Sequence, residues 1–501
     1  MNLDLTDKGI VNQLITEIEK SEERNRKADT FDAWQIYSGN QKPYVEKELK
    51  RTRPKSWNVY TISDVSVAKM VTDKKAKAYK NQPKRSVENN EIKTAKIEEI
   101  YDEADANRQL QFLDTITNLH KYSLMWVNWI DKIEKYQFMA LQPYEFSVVR
   151  DKNTGELLCV ILNYGNRDVT SNANSGDGYD DLIAESQADS SAQTKIYTMW
   201  TKENYVVIKY EKSKIMTAAG EVVKKSIDYV VQPENPNMIN FVGVIPFVFV
   251  SLETAIDFPT KSPLADQSVT YNALMSEALT AANIQGTGVS VLKYPDHMAN
   301  KFKNLSTGLT QTIKLPQSSR DGDPATEFDY RSPSPALDAQ KNIYESYLRQ
   351  VLAEHGITSS GGVLGDAEDY SSGLHMALAN ADLQNIVEKN QELYVQVEKE
   401  MFEIIKAWEA FKNSTIFQEQ DSIDILFKKP KLMVSDSETL SNIEKMIQLN
   451  MIEEHEALMM FDPNLTEQAA KDKLAKIKGS RLSQLGGFLN GRQGEQDNQP
   501  Q

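Results

Sequence analysis

Hydrophobic and polar positions follow two different periods along this chain. Apolar residues recur every three or four positions in the opening segment and again after residue 262, which indicates amphipathic helices. From about Trp126 the apolar residues alternate instead, and turn residues interrupt them. The segments FSVVRDKNTGELLCVILNYG and IYTMWTKENYVVIKY therefore predict two antiparallel hairpins that turn at residues 153–155 and 202–204. FVGVIPFVFVS predicts a buried strand that closes this β-rich region.

Two serine–proline pairs predict helix starts, because a serine hydroxyl caps free N–H groups and proline suits the first helical position. Ser262 and Pro263 precede a helix that Gly286 and Gly288 stop, and Ser334 and Pro335 precede another with Gly356 as its C-terminal cap. Each helix is predicted to be about 30 Å long. The residues predicted to pack along these two helices are Leu274, Leu279, Tyr344, Leu348 and Leu352.

A small module separates these two helices, and a longer helix follows them. Residues 286–333 contain the strand-like segments VSVLKY and TQTIKL. The segment from residue 371 to residue 411 keeps helical spacing and predicts about 60 Å of helix. The strand-like IDILFKKPKLMV, two helices (SETLSNIEKMIQLNM and TEQAAKDKLAKIKG) and a disordered tail from residue 479 are predicted after it.

The loop HGITSSGGVLGDAEDYSSG lies between two strongly helical segments. Its candidate functional residues are small, polar or acidic: Thr358, Ser359, Ser360, Gly361, Gly362, Asp366, Glu368 and Asp369. Residues 350–388 contain no lysine or arginine. From the residues alone, a solvated acidic surface is the favoured interpretation. The alternative is the lining of a DNA channel, because cations there would hold phosphates whereas acids repel them weakly over about 8 Å.

Composition restricts the class of protein. With 501 residues the chain should form more than one domain, and its formal charge of −15 argues against a simple cationic nucleic-acid binder. Cys159 is the only cysteine, so we expect a reducing compartment. The start lacks a signal peptide, and no apolar run is long enough to cross a bilayer. We therefore expect a soluble protein.

Basic residues concentrate in one region, residues 47–85, which holds twelve of them against three acids. Two interpretations remain open. The first is a patch that binds phosphate or a partner. The second is a solvated surface paired with acids elsewhere, which the sparse aromatic residues favour. The candidate partner patch consists of Lys47, Lys50, Arg51, Arg53 and Lys55.

Catalytic and metal motifs are absent from the sequence. There is no phosphate-binding loop, no nucleophile elbow and no HExxH, and the histidines are far apart. The polar insert at residues 171–193 fails the calcium-loop spacing and predicts a mobile loop. Asp366, Glu368 and Asp369 would be the acid/base residues of a hydrolase, but a glycine-rich loop is a poor rigid frame for them. We expect no enzyme activity, no metal and no cofactor.

The order of these segments resembles the portal proteins of tailed bacteriophages over nearly the whole chain. WQIYSGNQ is similar to an early tyrosine and glycine segment of that family, and LQPYEFSVVRDKNTGELLCVILNY resembles the paired strands of its wing. VIPFVFVS followed by SPLADQSVTYNALMSEAL resembles the entry to its first stem helix. SSGLHMALANAD is similar to the Ser-Gly start of its long helix.

The resemblance implies an α+β, mainly helical portal fold that assembles as a cyclic ring, usually a dodecamer, at one capsid vertex. Its parts would be a wing (1–261), stem helices (262–285 and 334–356), a clip (286–333), a tunnel loop (357–372), a long wing helix with a return strand (373–435), a crown (436–478) and a tail (479–501).

The same resemblance implies the partners and the location. They are double-stranded DNA in the channel, terminase as the motor, the major capsid and scaffolding proteins, and an adaptor or head-completion protein, with no membrane. The protein would be in the virion, and in the host cytoplasm during assembly. The alternative function is a cytosolic helical enzyme, such as a hydrolase, or a scaffold.

Overall fold

The computed structural model describes residues 3–88, 90–163, 192–217, 220–231, 235–253, 262–287, 289–293, 327–331, 337–357, 381–427, 443–445, 447–448, 452–461, 471 and 473–476. The chain divides into two compact units, residues 1–359 with 382–429, and residues 360–381 with 430–501. The fold is α+β, as the sequence predicts, because helices and antiparallel sheets both contribute large parts of it.

Helices form the first part of the larger unit. They are α1 (Lys8–Ile18), α2 (Ser21–Tyr37), α3 (Lys42–Thr52), α4 (Val67–Lys75), α5 (Glu91–Glu103) and α6 (Ala106–His120), and a 3-10 turn spans Trp57–Val59. Asp7 begins α1 by accepting the Gly9 N–H at 2.7 Å, and Asn90 begins α5 by accepting the N–H groups of Ile92 and Lys93. Such caps satisfy N–H groups that the helix itself leaves unpaired.

Antiparallel strands follow in two main sheets. The strands are β1 (Lys84–Val87), β2 (Tyr122–Ile130), β3 (Lys135–Leu141), β4 (Phe146–Arg150), β5 (Leu157–Asn163), β6 (Ala192–Trp200), β7 (Tyr205–Thr217), β8 (Gly220–Tyr229), β9 (Phe247–Ser251), β10 (Val289–Lys293), β11 (Glu327–Arg331) and β12 (Ile423–Leu426). One sheet has the order β3-β2-β9, and a five-stranded sheet has the order β4-β5-β6-β7-β8.

Both predicted hairpins are confirmed, β4–β5 and β6–β7. The β-rich region begins at Tyr122, four residues before the predicted change of pattern. The predicted loop at residues 171–193 is wrong at its end, because β6 already starts at Ala192, and residues 164–191 lie outside the described chain. FVGVIPFVFVS is a strand only from Phe247 onward.

Period-two alternation explains how the two main sheets stack, because successive side chains of a strand point to opposite faces. In β2, Met125 and Val127 belong to a core with α5 and α6, whereas Tyr122 and Leu124 join a core between the sheets. In β5, Val160 faces that second core, and Cys159 faces α1. The layers are therefore helices, three-stranded sheet, five-stranded sheet and α1.

Long helices make up the rest of the larger unit: α7 (Leu264–Thr287), α8 (Leu337–Glu354) and α9 (Ala381–Phe411). The predicted start after Ser262 and Pro263 is confirmed, while Ser334 and Pro335 lie outside the described residues. The 31 residues of α9 span about 46 Å at about 1.5 Å each, and the predicted beginning of this helix, 371–380, is not among the described residues. Its residues Tyr394, Val397 and Met401 complete the core beside α5 and α6.

Two short strand pairs complete this unit. VSVLKY forms β10, as predicted, but its partner in the described chain is β11, which the sequence pattern did not predict; TQTIKL lies outside the described residues. Likewise, β12 covers the first four residues of IDILFKKPKLMV and pairs with β1. The smaller unit contains α10 (Glu454–Phe461), which the sequence did not predict, and helical residues at 443–445, 447–448, 471 and 473–476.

Candidate functional site

The helices α7 and α8 pack against each other as an antiparallel pair. Tyr271 meets Tyr344 edge to face with ring centroids 6.4 Å apart, and Gln267 donates to the Glu354 carboxylate at 2.8 Å. Beyond these helices, β10 and β11 continue the antiparallel arrangement, with Val289 opposite Arg331. Helix, strand, strand and helix therefore form one long hairpin.

A polar row on α7 fixes this hairpin to the N-terminal helices. Ser268, Asn272, Ser276 and Thr280 recur every four residues and are buried. Asn272 accepts the Val65 N–H at 2.8 Å and donates to the Val65 carbonyl at 2.7 Å. The backbone N–H groups of residues 61, 63 and 68 donate to the hydroxyls of Thr280, Ser276 and Ser268, respectively. We call these four residues the polar ladder; it pairs the backbone of residues 61–65, which belong to no sheet in the described chain, and one amide in the first turn of α4.

The predicted stem residues therefore divide between two environments. Leu348 and Leu352 are 6% and 0% exposed, so they pack within the chain itself. Tyr344 and Leu274 are half-buried, and Leu279 is 39% exposed. Leu274 and Leu279 do not lie on the most buried face of α7 within the chain, because the polar ladder occupies much of that face, so their packing in a stem stays a prediction. A four-residue spacing of small polar residues was the signal in the sequence that would have identified the polar ladder.

The end of α8 is confirmed at Gly356, which has a φ of +69°. The Ile357 N–H donates to the Leu352 carbonyl at 2.8 Å, and the Gly356 N–H donates to the Ala353 carbonyl at 3.0 Å, which is the Schellman arrangement. A side chain at this position would also meet Ile386, since a Cβ would lie 2.5 Å from its Cδ1. The candidate loop residues, 358–369, lie outside the described residues.

His355 closes the same end of the hairpin. Its Nε2 lies 3.1 Å from the Gln267 amide oxygen. Burial, together with the nearby positive charge of Lys75, lowers the pKa of His355 to about 4. The imidazole is therefore neutral at pH 7, and its Nε2–H donates to Gln267 in the tautomer that fits this contact.

The five residues of the candidate basic patch all lie on the surface. Arg51 pairs with Glu48 at 2.6 Å, Arg53 pairs with Glu277 at 3.2 Å, and the Lys50 ammonium lies 4.0 Å from the centre of the Trp57 ring. Lys47 and Lys55 have no ion pair or hydrogen bond with any residue that the structure describes. The patch is thus partly neutralised, as the second interpretation of the basic region expects.

Arg85 is an exception to that interpretation, because it is buried rather than solvated. Its Nε donates to Glu398 at 2.5 Å and its Nη2 at 3.0 Å, while the Tyr79 hydroxyl donates to the same carboxylate at 2.8 Å. The guanidinium also lies 4.3 Å from the centre of the Tyr101 ring. This group of four side chains fastens β1 to α9.

Two buried titratable groups lie in α6, and neither forms an ion pair with a residue that the structure describes. Burial raises the pKa of Asp114 to about 7, although it accepts the Ala78 N–H at 2.9 Å and the Asn118 amide at 2.7 Å. Burial also lowers the pKa of His120 to about 3. Each protein environment therefore disfavours the charged form of its group.

The described residues show neither a metal site nor a membrane-spanning helix. Within the described ranges, no group of three or more histidine, cysteine, aspartate or glutamate side chains is placed to hold a metal ion. In the same described ranges, no helix is both long and apolar enough to cross a membrane.

Comparison with known proteins gives distant structural likeness only. Neither a protein-family model nor a curated protein matches the chain. A chain in the neck of an empty gene transfer agent particle matches 83% of this chain and 93% of its own length, at 8% identity and a TM-score of 0.38. A chain in the virion of a native gene transfer agent particle covers 86% and 93%, at 7% identity and a TM-score of 0.37. Both TM-scores are below 0.5, so neither likeness supports an argument about function.

Proposed function

We propose that this chain is a portal protein of a tailed bacteriophage. It would form a closed ring at one capsid vertex, with the packaged genome entering and later leaving through the central channel. In this proposal the chain is not an enzyme, and a separate terminase subunit supplies ATP hydrolysis. The ring would also contact major capsid and scaffolding proteins, and later an adaptor or head-completion protein.

The observation that carries the proposal is the long hairpin of α7, β10, β11 and α8. It leaves the two-sheet body at Leu264 and returns at Ile357, and α9 follows in the sequence. This is the order of stem, clip, stem and long wing helix that the family resemblance implies. An enzyme fold gives no reason for two long helices to be joined through a strand pair of this kind.

Charge along the chain supports the same proposal. The described chain stops at Ile357 and resumes at Ala381, and the intervening sequence has three acids and no lysine or arginine. In the proposed ring this segment is the tunnel loop, where a cationic lining would bind many phosphates together and slow the passage of DNA. The predicted wing, clip and crown boundaries belong to the same proposal.

Oligomeric state tests the proposal directly. The purified full-length chain should elute as a large assembly in size-exclusion chromatography, and light scattering should give a mass that is a whole multiple of the 56.8 kDa subunit, nearest to the dodecamer. Recombinant rings of a neighbouring subunit number would agree with the proposal. A monomer at every protein and salt concentration would contradict it.

A further inference from the structure

A cleft of about 610 Å³ lies between α9 and the segment that leads into β9. Its walls are largely apolar and include Ile245, Phe247, Phe249 and Ile404. Three glutamates, Glu156, Glu400 and Glu403, also line the cleft, together with the two cations Arg150 and Lys202. The charges that the chain itself pairs must therefore be separated from any that an outside partner could pair.

One of these glutamates has no partner. Glu156 pairs with Lys202 at 2.5 Å, and Glu403 pairs with Lys406 at 2.8 Å. Glu400 lies at the exposed edge of the cleft and makes no ion pair or hydrogen bond with any described residue, and desolvation by the surrounding protein raises its pKa above the ordinary glutamate value. A cation brought to Glu400 from outside would remove this cost, since an opposite charge favours the ionised carboxylate.

The apolar surface continues along α9 from this glutamate. Glu400, Ile404 and Phe411 are spaced i, i+4 and i+11 and so share one flank of the helix, with about 16 Å between the first and the last. Phe411 stacks on Phe241 with ring centroids 6.2 Å apart. The two rings are 41% and 54% exposed, which is unusual for large apolar side chains unless a partner covers them.

A matching surface exists on the same chain, at the end of α3. Lys55 is exposed and unpaired within the described structure, and Val59 is 63% exposed at the end of the 3-10 turn. A cation and an apolar side chain therefore stand close together in the sequence. The three other cations near them, Lys50, Arg51 and Arg53, already have contacts within the chain.

We propose that the edge of the cleft at Glu400, together with the Phe241–Phe411 pair outside it, binds a second copy of this chain, with Lys55 of the neighbouring subunit at Glu400 and Val59 of that subunit against the two rings. This inference rests on the proposed ring. A cyclic ring needs a head-to-tail contact in which each subunit contributes two different surfaces, and this flank of α9 and the α3 end are two such surfaces, with an unpaired acid on one and an unpaired cation on the other.

A charge-reversal cycle on the full-length chain tests the contact. The variants are Glu400→Lys, Lys55→Glu and the two combined, and mass photometry over a range of subunit concentrations gives their association constants. Each single reversal should weaken association by about tenfold, and the combined variant should recover most of it. Glu392→Lys, at an exposed position of α9, and Lys80→Glu, at an exposed position after α4, are the matched controls and should associate as the wild type does.

Circular dichroism and thermal unfolding of each variant separate lost association from lost folding. Single reversals that associate normally would overturn the contact, and so would a combined variant that associates no better than its parents. Association of the wild type without ring closure would count against the proposed function, while the cycle would still measure the contact. A wild type that remains monomeric would overturn both proposals.

Discussion

Arg85 and Glu398 join parts of the chain that are 313 residues apart, and both side chains are buried. Removing one partner leaves the other charge buried and unpaired, which costs about 3–5 kcal/mol in comparable cases. We therefore expect Arg85→Met to lower the free energy of unfolding by about that amount, measured by urea denaturation. Arg85→Met combined with Glu398→Leu should be much less harmful, because no charge then remains buried.

The exposed pair Arg51 and Glu48 offers a matched control for this prediction. Arg51→Met removes the same guanidinium from a salt bridge of 2.6 Å, but solvent screens that pair. Its loss should therefore affect stability far less than the loss of the buried pair. Equal effects of Arg85→Met and Arg51→Met would show that the buried pair does not hold β1 on α9.

Asp114 should make stability depend on pH. Its pKa rises from 3.8 to about 7 on folding, so the folded chain holds the proton more tightly. Stability is therefore lost as pH rises from about 4 to about 7, and the lost part amounts to a few kcal/mol at most. Asp114→Asn should be more stable than the wild type at pH 8, and this advantage should shrink towards pH 5 in thermal unfolding experiments.

His120 makes stability depend on pH in the opposite direction. This contribution is removed when the wild type is compared with Asp114→Asn. The pKa of His120 falls from 6.5 to about 3 on folding, so its protonation in the unfolded chain lowers stability as pH falls below about 6.5. Both the wild type and Asp114→Asn carry this term, and it cancels in their difference. A difference between the two that stays constant from pH 5 to pH 8 would contradict a buried, titrating Asp114.

At the scale of elements, the polar ladder decides how α7 is held. Asn272→Ala would leave the Val65 N–H and carbonyl without their partner, and buried polar groups left unpaired cost about 1–3 kcal/mol each. We expect a loss of stability in that range or slightly above. The variant should also increase the rate of amide hydrogen exchange more at Ser63 and Val65 than at other amides of the fold.

Leu279→Ala is the control on the same helix. Leu279 is 39% exposed in the chain, so truncation should cost the isolated subunit less than about 1 kcal/mol. If Leu279→Ala destabilised the subunit more than Asn272→Ala, the apolar stripe rather than the ladder would be the packed face of α7.

The sequence predicted some elements better than others for physical reasons. The hairpins β4–β5 and β6–β7 carry their signal locally, as alternating apolar residues around a turn. The strands β1 and β12 are only four residues each, and they form because they pair with each other. Their partners are so far apart in the sequence that no local pattern reveals the pairing. The buried face of α7 was missed because its polar residues are satisfied by a distant backbone segment.

The same limit applied to single residues. Tyr394, Val397 and Met401 recur at the helical spacing that is typical of core positions, and the structure buries all three. Glu398, between them, is fully buried as well, yet only its contact with Arg85 explains how a charge is tolerated there. Ion pairs between distant segments leave no periodic signal in a sequence.

For the whole molecule, the described chain provides a layered body and a long hairpin that leaves it. A single subunit buries Leu348 and Leu352 but leaves Phe241, Phe411, Val59 and Leu279 exposed on the body and on α7. Exposed apolar side chains at several places fit a subunit that is covered by neighbours on more than one side. The sequence predicted both hairpins and the helices on either side of residues 286–333, whereas these exposed apolar side chains emerged only from the fold.

Negative-stain electron microscopy of the purified full-length protein tests the central claim most directly. The account predicts class averages of a closed ring with cyclic symmetry and an open central channel, because head-to-tail contacts between identical subunits close on themselves. Side views should show a stalk on one face of the ring, formed by the hairpins. Monomers or compact dimers without a channel, under all conditions of salt and protein concentration, would contradict it.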